Sequence, residues 1–140
     1  MAVALLSSLV GASFLNVLFK NLFQRPRPVG LNLVAETGFS FPSGHAMLSM
    51  AVLGMLVVIA HDRMRPGRRR LLVIAGLSAL ILLVGLSRLY LGVHYPSDVL
   101  AGYLASLCWV ALVHWALRVR PLTSGVAGMA AIQTRRPGRA

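Results

Sequence analysis

A histidine lies between an arginine and an aspartate at the end of an apolar segment of this chain. Ser87 to Asp98 reads SRLYLGVHYPSD, so five residues separate Arg88 from His94, and Asp98 follows His94 by four. A carboxylate that accepts a hydrogen bond from Nδ1–H of a histidine leaves Nε2 free and stabilises the imidazolium form. A free, oriented Nε2 is a nucleophile, and an arginine at a membrane surface needs an anionic partner. The stretch therefore predicts a nucleophilic His94 that Asp98 orients, with Arg88 as an anion clamp.

A second stretch, Pro42-Ser43-Gly44-His45, directly precedes another apolar segment. Ser43 is a favourable N-cap, and Gly44 lets the backbone approach a ligand closely. The free N–H groups of a helix start, with their partial positive charge, form a phosphate site. His45 lies in the first turn and can face whatever binds there. Taken alone, the stretch is explained equally well as a capped helix with an interfacial histidine.

Two more cations, Lys20 and Arg27, lie in the sequence KNLFQRPRP. The prolines at 26 and 28 stop a helix and hold the chain extended. Alone, these cations are typical of a snorkelling lysine and an interfacial arginine. For Glu36, farther along the same connection, we expect a solvated loop residue rather than a contact with a lipid headgroup.

The segments that must position these residues are strongly apolar. Hydrophobic residues make up 57% of the 140 residues and charged residues 12%, against about 25% charged in an average soluble domain. The mean hydropathy is +0.76, and a soluble domain this small could not bury so much apolar surface. Four apolar runs, at about 2–19, 44–60, 71–90 and 97–117, each approach the ~20 residues that cross a bilayer as a helix. The sequence therefore predicts an all-α integral membrane bundle with four transmembrane helices.

The basic residues predict how this bundle is oriented. Five arginines lie within residues 61–70, and more follow residue 117. The positive-inside rule places both groups in the cytoplasm, so residues 20–42 and 90–97 lie together on the outer side. A net charge of +11 can indicate nucleic-acid binding, but these arginines lie between apolar runs. We therefore predict membrane lipids as partners and no nucleic acid.

The chain is short enough for one domain at most. We predict that residues 1–122 form a membrane-embedded domain. Residues 123–140, rich in glycine and arginine, form a basic and loosely ordered C-terminal tail in this prediction.

Together the three stretches resemble the type 2 phosphatidic acid phosphatase superfamily, which includes bacterial membrane lipid phosphatases and vanadium haloperoxidases. The pattern of that family is Lys, six residues, Arg-Pro; then Pro-Ser-Gly-His; then Ser-Arg, five residues, His, three residues, Asp. This sequence matches every position in order, with Lys20 and Arg27-Pro28, Pro42 to His45, and Ser87-Arg88 with His94 and Asp98.

The resemblance implies a metal-independent membrane phosphatase, without a cofactor, that hydrolyses a lipid phosphate or pyrophosphate. His94 would attack phosphorus and form a phosphohistidine, Asp98 would orient it, and His45 would protonate the leaving alkoxide. The residues implied to hold the phosphoryl oxygens are Lys20, Arg27, Ser43, Gly44 and Arg88. Because three of these are cations, no metal site is expected.

The resemblance also has a departure and leaves alternatives open. Membrane members of the family usually have six helices, which implies that the first two are absent here. The chain is then a fragment, a minimal member, or one in which an oligomer or partner helices replace the missing pair. A vanadate-dependent haloperoxidase-like enzyme and a truncated, non-catalytic binder of lipid phosphates remain alternatives. The expected location is a bacterial inner (plasma) membrane, with the active site on the outer, periplasmic face.

Overall fold

Four α-helices form the part of the chain that the structure describes. The computed structural model describes residues 1–29 and 33–133, with residues 120–133 as backbone only. The helices are α1 (Ala2–Phe23), α2 (Gly44–Arg63), α3 (Arg68–Tyr90) and α4 (Pro96–Gln133), and no strand occurs in these described ranges. Each helix contains a segment long and apolar enough to cross a membrane, which in α4 is Pro96–Val119. The prediction of an all-α bundle with four membrane-spanning helices is confirmed.

The helices extend beyond the apolar runs. α1 continues past Lys20 and ends at Phe23. The cap residue, Gln24, has a left-handed φ of 44° and donates its N–H to the Lys20 carbonyl, directly before Arg25-Pro26. α2 and α3 leave only residues 64–67 between them, so most of the basic stretch 61–70 is helical. The reason is that a charged side chain at the membrane surface does not end a helix, whereas proline does.

α4 also extends past its predicted end near residue 117, as far as Gln133. It crosses the boundary predicted at residue 122 between a membrane domain and a tail. That division stays a prediction, and residues 134–140 of the predicted tail lie outside the described residues.

α2 is the central helix and contacts the other three. In the membrane-crossing segments, 22% of α2 and 28% of α4 are buried, against 11% of α1 and of α3, so the last two present most of their surface outward. Two buried serines join the neighbours to α2: Ser8 donates to the Ala51 carbonyl at 2.7 Å and Ser106 to the Met47 carbonyl at 2.8 Å. Small polar residues of this kind connect helices in an apolar medium.

One end of the bundle, here called the outer end, gathers both longer connections. The backbone N–H of Leu33 donates to the Leu91 carbonyl at 3.2 Å, and that of Ser43 donates to the Asp98 carbonyl at 3.0 Å. A Cβ atom at Gly102 of α4 would lie 2.9 Å from the Ser43 carbonyl oxygen, so the glycine lets the start of α2 approach α4 closely. The three stretches that carry the candidate residues therefore meet at the outer end; the opposite end is called the inner end.

Candidate active site

A tight turn between α3 and α4 presents His94. Gly92 has a φ of 71°, which glycine adopts at no steric cost, and its N–H donates to the Leu89 carbonyl at 3.0 Å. Val93 and His94 follow with 1% and 5% of their surface exposed. The turn therefore buries the imidazole and fixes its direction.

Asp98, in the first turn of α4, is fully buried and faces that imidazole. Its Oδ2 accepts the backbone N–H of Tyr95 at 2.9 Å, and its Oδ1 accepts Nη1 of Arg25 at 2.8 Å. Oδ2 lies 3.5 Å from Nδ1 of His94, which is longer than a normal hydrogen bond, and Nδ1 has no hydrogen-bond partner among the described residues. The carboxylate thus faces the ring nitrogen predicted from the sequence, but at close contact rather than hydrogen-bond distance.

Arg27 joins the connection after α1 to the His94 turn. Its Nε donates to the Gly38 carbonyl at 3.1 Å, Nη2 to the Thr37 carbonyl at 3.2 Å, and Nη1 to the Val93 carbonyl at 2.9 Å. Nη1 also lies 3.5 Å from Nε2 of His94. Because backbone groups hold the guanidinium from two sides, its charge is fixed beside the imidazole.

A carboxylate, Glu36, lies among the cations. Its Oε2 is 2.8 Å from Nη1 of Arg27 and 3.9 Å from Nε2 of His94, and its Oε1 is 3.4 Å from Nη1 of Arg88. The side chain is 23% exposed. The expectation of a solvated loop residue is therefore wrong: two guanidinium groups attract this carboxylate out of the solvent.

A cavity of about 300 Å³ opens beside these groups. Its lining includes the candidate residues Lys20, Arg27, Gly44, His45 and His94, together with Glu36 and a short stretch around it. The ammonium group of Lys20 donates to the Phe39 carbonyl at the cavity wall. The structure therefore brings both candidate histidines and two of the three candidate cations to one cavity.

Two of the candidate phosphate ligands, Arg88 and Ser43, are not among the residues that line the cavity. Arg88 reaches the site through Glu36 and also donates from Nε to the Ser87 hydroxyl at 3.2 Å. Ser43 precedes α2 at the N-cap position, but its side chain makes no capping hydrogen bond. The Ser43 hydroxyl is buried and has no hydrogen-bond partner within the described ranges.

The surroundings of His94 favour its neutral form. Burial lowers the pKa of His94, and the nearby Arg27 cation acts in the same direction. The carboxylates of Asp98 and Glu36 oppose this shift, but the net direction is downward. Because a nucleophilic imidazole must be unprotonated, the site keeps His94 in the reactive state to lower pH than a free histidine.

Sequence reasoning missed Arg25. Its Nη1 donates to the Ser97 hydroxyl at 2.7 Å and to Asp98 at 2.8 Å, and its guanidinium carbon lies 4.0 Å from the ring centre of Tyr95. The sequence did offer a hint, because Arg25-Pro26 repeats the pattern of Arg27-Pro28 two residues earlier. Spacing along the chain could not say which carboxylate Arg25 would meet.

A second charged cluster lies at the inner end. Asp62 of α2 is 2.8 Å from Nη2 of Arg118 and 3.7 Å from Nε2 of His114, both on α4, and 3.5 Å from Nδ1 of the adjacent His61. These contacts tie the inner ends of α2 and α4 together.

The sequence model of the PAP2 superfamily matches residues 1–121 of this chain. The chain belongs to the PAP2 superfamily. The resemblance drawn from the three stretches is therefore confirmed.

Curated relatives of this PAP2 chain include bacterial and mammalian phosphatases. Phosphatidylglycerophosphatase B of Bacillus subtilis (strain 168) is 39% identical over 102 residues, which are 71% of this chain and 49% of that protein. Its namesake from Escherichia coli (strain K12) is 41% identical over 80 residues, 57% of this chain and 30% of that protein. Glucose-6-phosphatase 3 of Rattus norvegicus is 37% identical over 89 residues, 61% of this chain and 25% of that protein. The PAP2 chain thus spans about half the length of these relatives, or less.

A solved structure shares the fold. The crystal structure of a transmembrane PAP2 type phosphatidylglycerolphosphate phosphatase from Bacillus subtilis matches with a TM-score of 0.74 and 32% sequence identity. The match covers 81% of this chain and 57% of that one. Together with the four apolar helices, it shows that the PAP2 chain is an integral membrane protein.

Proposed function

We propose that this chain forms the core of a membrane phosphatase that hydrolyses a lipid phosphate or pyrophosphate through a phosphohistidine. The observation that supports this best is the position of the Glu36 carboxylate. Arg27 and Arg88 both contact it, and its nearer oxygen is 3.9 Å from Nε2 of His94. Guanidinium groups that gather an anion beside an imidazole nitrogen suit a phosphoryl group equally well.

In the proposed reaction, Nε2 of neutral His94 attacks phosphorus, and the bond from phosphorus to the ester oxygen breaks. His45, which lines the same cavity, gives a proton to the departing alkoxide. Water then attacks the phosphohistidine while His45 accepts a proton, which releases phosphate and restores the starting state. Asp98, facing Nδ1 at 3.5 Å, stabilises the positive charge that develops on the ring during the attack.

Two of the proposed phosphate ligands, Arg27 and Arg88, contact the Glu36 carboxylate, and Lys20 and Gly44 line the same cavity. Lys20, Arg27 and Arg88 supply positive charge, and Ser43 and Gly44 supply a hydroxyl and a backbone N–H at the start of α2. Preorganised donors and cations of this kind stabilise the charge of a phosphoryl transition state. We propose that the substrate phosphate displaces Glu36 and that the three cations make the reaction independent of metal ions.

The position of the cavity supports a lipid substrate. It opens at the outer end of four apolar helices, and the side chains of Phe39 and Leu48 contribute to its lining. Since two relatives are named for phosphatidylglycerophosphate, that lipid is the first substrate to test. Residues 61–70 place five arginines at the inner end, which supports a bacterial inner membrane with the cavity on the periplasmic face. Replacement of two further helices by an oligomer or partner stays a prediction.

The proposal is tested with the full chain purified in detergent and a panel of lipid phosphates, in the presence of a metal chelator. Wild type should release phosphate, His94→Ala should not, and the matched variant His114→Ala of the inner cluster should keep activity. Binding of the lipid without turnover by wild type would identify a non-catalytic binder instead. Halide oxidation that depends on added vanadate would identify a haloperoxidase-like enzyme.

A further inference from the structure

Arg25 is the cation of the outer end that the proposed reaction leaves unused. We propose that Arg25 is a positioning residue, which fixes the carboxylate of Asp98 and partly neutralises its charge, so that His94 stays neutral and correctly directed. This role rests on the proposed function and adds to it a residue outside the proposed phosphate ligands.

Arg25 contacts Asp98 but does not line the cavity. The described residues that line the cavity include Lys20 and Arg27 but not Arg25. The Arg25 guanidinium donates instead to Oδ1 of Asp98, while Oδ2 faces His94. Arg25 therefore acts on the imidazole through the carboxylate rather than on the substrate.

Arg25, Tyr95 and Asp98 each contact the other two, next to the turn that carries His94. Its guanidinium lies over the ring of Tyr95, and the Tyr95 N–H holds the second oxygen of Asp98. The backbone of Arg25 is fixed as well, because its carbonyl accepts the N–H of Ser40 at 2.8 Å. A fully buried carboxylate is costly unless it is paired, and Arg25 supplies the paired charge.

The electrostatic consequence follows from the groups that face His94. Lys20 of α1 and Arg27 oppose protonation of the ring, Glu36 and Asp98 favour it, and His45 of α2 lines the same cavity. Without the Arg25 charge, the negative charge of Asp98 would no longer be partly neutralised, and it would stabilise the imidazolium form of His94 more strongly. A smaller fraction of His94 would then be neutral in mildly acidic solution, and the nucleophile would be lost there first.

The test uses Arg25→Gln and Arg25→Lys in the full chain, with Arg65→Gln at the inner end as a control that removes the same charge. We expect the acidic limb of kcat/KM for Arg25→Gln to move to higher pH. The ratio of wild-type to variant kcat/KM should be about tenfold larger at about pH 5.5 than at about pH 8.5. Arg25→Lys should restore most of the wild-type profile, and Arg65→Gln should match wild type throughout.

A loss by the same factor at every pH would overturn the proposal, since a structural role alone predicts that result. A change confined to KM would overturn it as well, because it would make Arg25 a substrate ligand. Should Arg25→Gln fail to fold, Ser97→Ala removes one partner of the same guanidinium and should shift the limb in the same direction by less.

A second readout separates this proposal from the proposed function. The titration of His94 in isotope-labelled protein, assigned with His94→Gln, can be followed by NMR without any turnover. A midpoint that rises in Arg25→Gln while wild type hydrolyses no phosphate would refute the enzyme and support the positioning role. An unchanged midpoint would refute the positioning role, whether or not the chain is an enzyme.

Discussion

Both ends of the bundle gather cations and an imidazole around a carboxylate, yet the two clusters differ in how far they are exposed to solvent. At the outer end Glu36 lies 2.8 Å from Arg27, and at the inner end Asp62 lies 2.8 Å from Arg118. The outer arginine, Arg27, has a side chain that is 14% exposed. The inner Arg118 side chain is 63% exposed, and solvent screens such a pair strongly. Equal distances therefore do not give equal chemistry, because burial decides how strongly the charges act.

The two ends also differ in where their carboxylates are attached. Asp62 lies on α2, and its partners His114 and Arg118 lie on α4, which packs directly against α2. Glu36 lies in the connection between α1 and α2, outside any helix, and its partners come from separate segments. A substrate anion can therefore replace Glu36 without breaking a contact between two helices, whereas Asp62 directly joins α2 to α4.

The largest expected difference between the ends concerns the histidines. His94→Gln should lower the rate of phosphate release by ~10⁴-fold or more, because it removes the proposed nucleophile. His114→Gln at the inner end should change the rate less than about twofold. Single-turnover assays in detergent measure both, with the thermal unfolding temperature as the folding control. Similar losses in the two variants would remove the distinction between the ends.

The next largest difference is expected between the effects of Arg27→Gln and Arg118→Gln on kcat/KM. Arg27→Gln should cost ~10²–10³ in kcat/KM, the usual effect of removing one preorganised donor from a charged transition state. Arg118→Gln, which breaks an exposed pair of the same length, should leave kcat/KM within about threefold of wild type. Steady-state kinetics on one lipid phosphate is sufficient. An Arg118 effect as large as that of Arg27 would contradict the assignment of the outer cluster.

Exchange of the two carboxylates for amides gives a smaller effect of opposite sign. If Glu36 occupies the phosphate position, Glu36→Gln should strengthen competitive inhibition by inorganic phosphate about threefold to tenfold. Asp62→Asn should leave the inhibition constant unchanged. Weaker inhibition in Glu36→Gln would mean that the carboxylate assists phosphate binding rather than competing with it.

The pH dependence of wild type should show the smallest effect. The lowered pKa of His94 means that the neutral nucleophile persists as pH falls, so the midpoint of the acidic limb of kcat/KM should lie below about 6.5, the ordinary histidine value. At pH 6.5 the enzyme should therefore keep more than about half of its maximal kcat/KM. A midpoint above pH 7 would show that Asp98 and Glu36 outweigh burial and Arg27.

The fold was predictable because the length of an apolar run that crosses a membrane is set by the thickness of the hydrocarbon core. Four runs near ~20 residues gave four helices, and only their ends were misjudged. Lys20 and His61 end apolar runs, but the helices continue to Phe23 and Arg63, since hydropathy changes at the membrane surface while backbone hydrogen bonding does not. The extension of α4 to Gln133 was not predicted, because the apolar stretch 126–132 is too short to cross a membrane.

The site was predictable where roles follow from local order along the chain. His94 and Asp98 are four residues apart across one turn, so their proximity follows from the sequence. Arg25 and Glu36 depend on how the long connection between α1 and α2 folds back over the bundle. No periodicity governs such a connection, so neither the bond from Arg25 to Asp98 nor the burial of Glu36 could be derived from spacing.

The central claim is that His94 becomes phosphorylated, and trapping the intermediate tests it most directly. The purified chain is quenched during turnover of a lipid phosphate that carries radiolabelled phosphorus, and the labelled peptide is mapped. We predict an acid-labile, base-stable label on His94 that is absent from His94→Ala and present in His45→Ala when the leaving group is good. Label on Ser43, or steady turnover with no trapped label in any variant, would contradict the account.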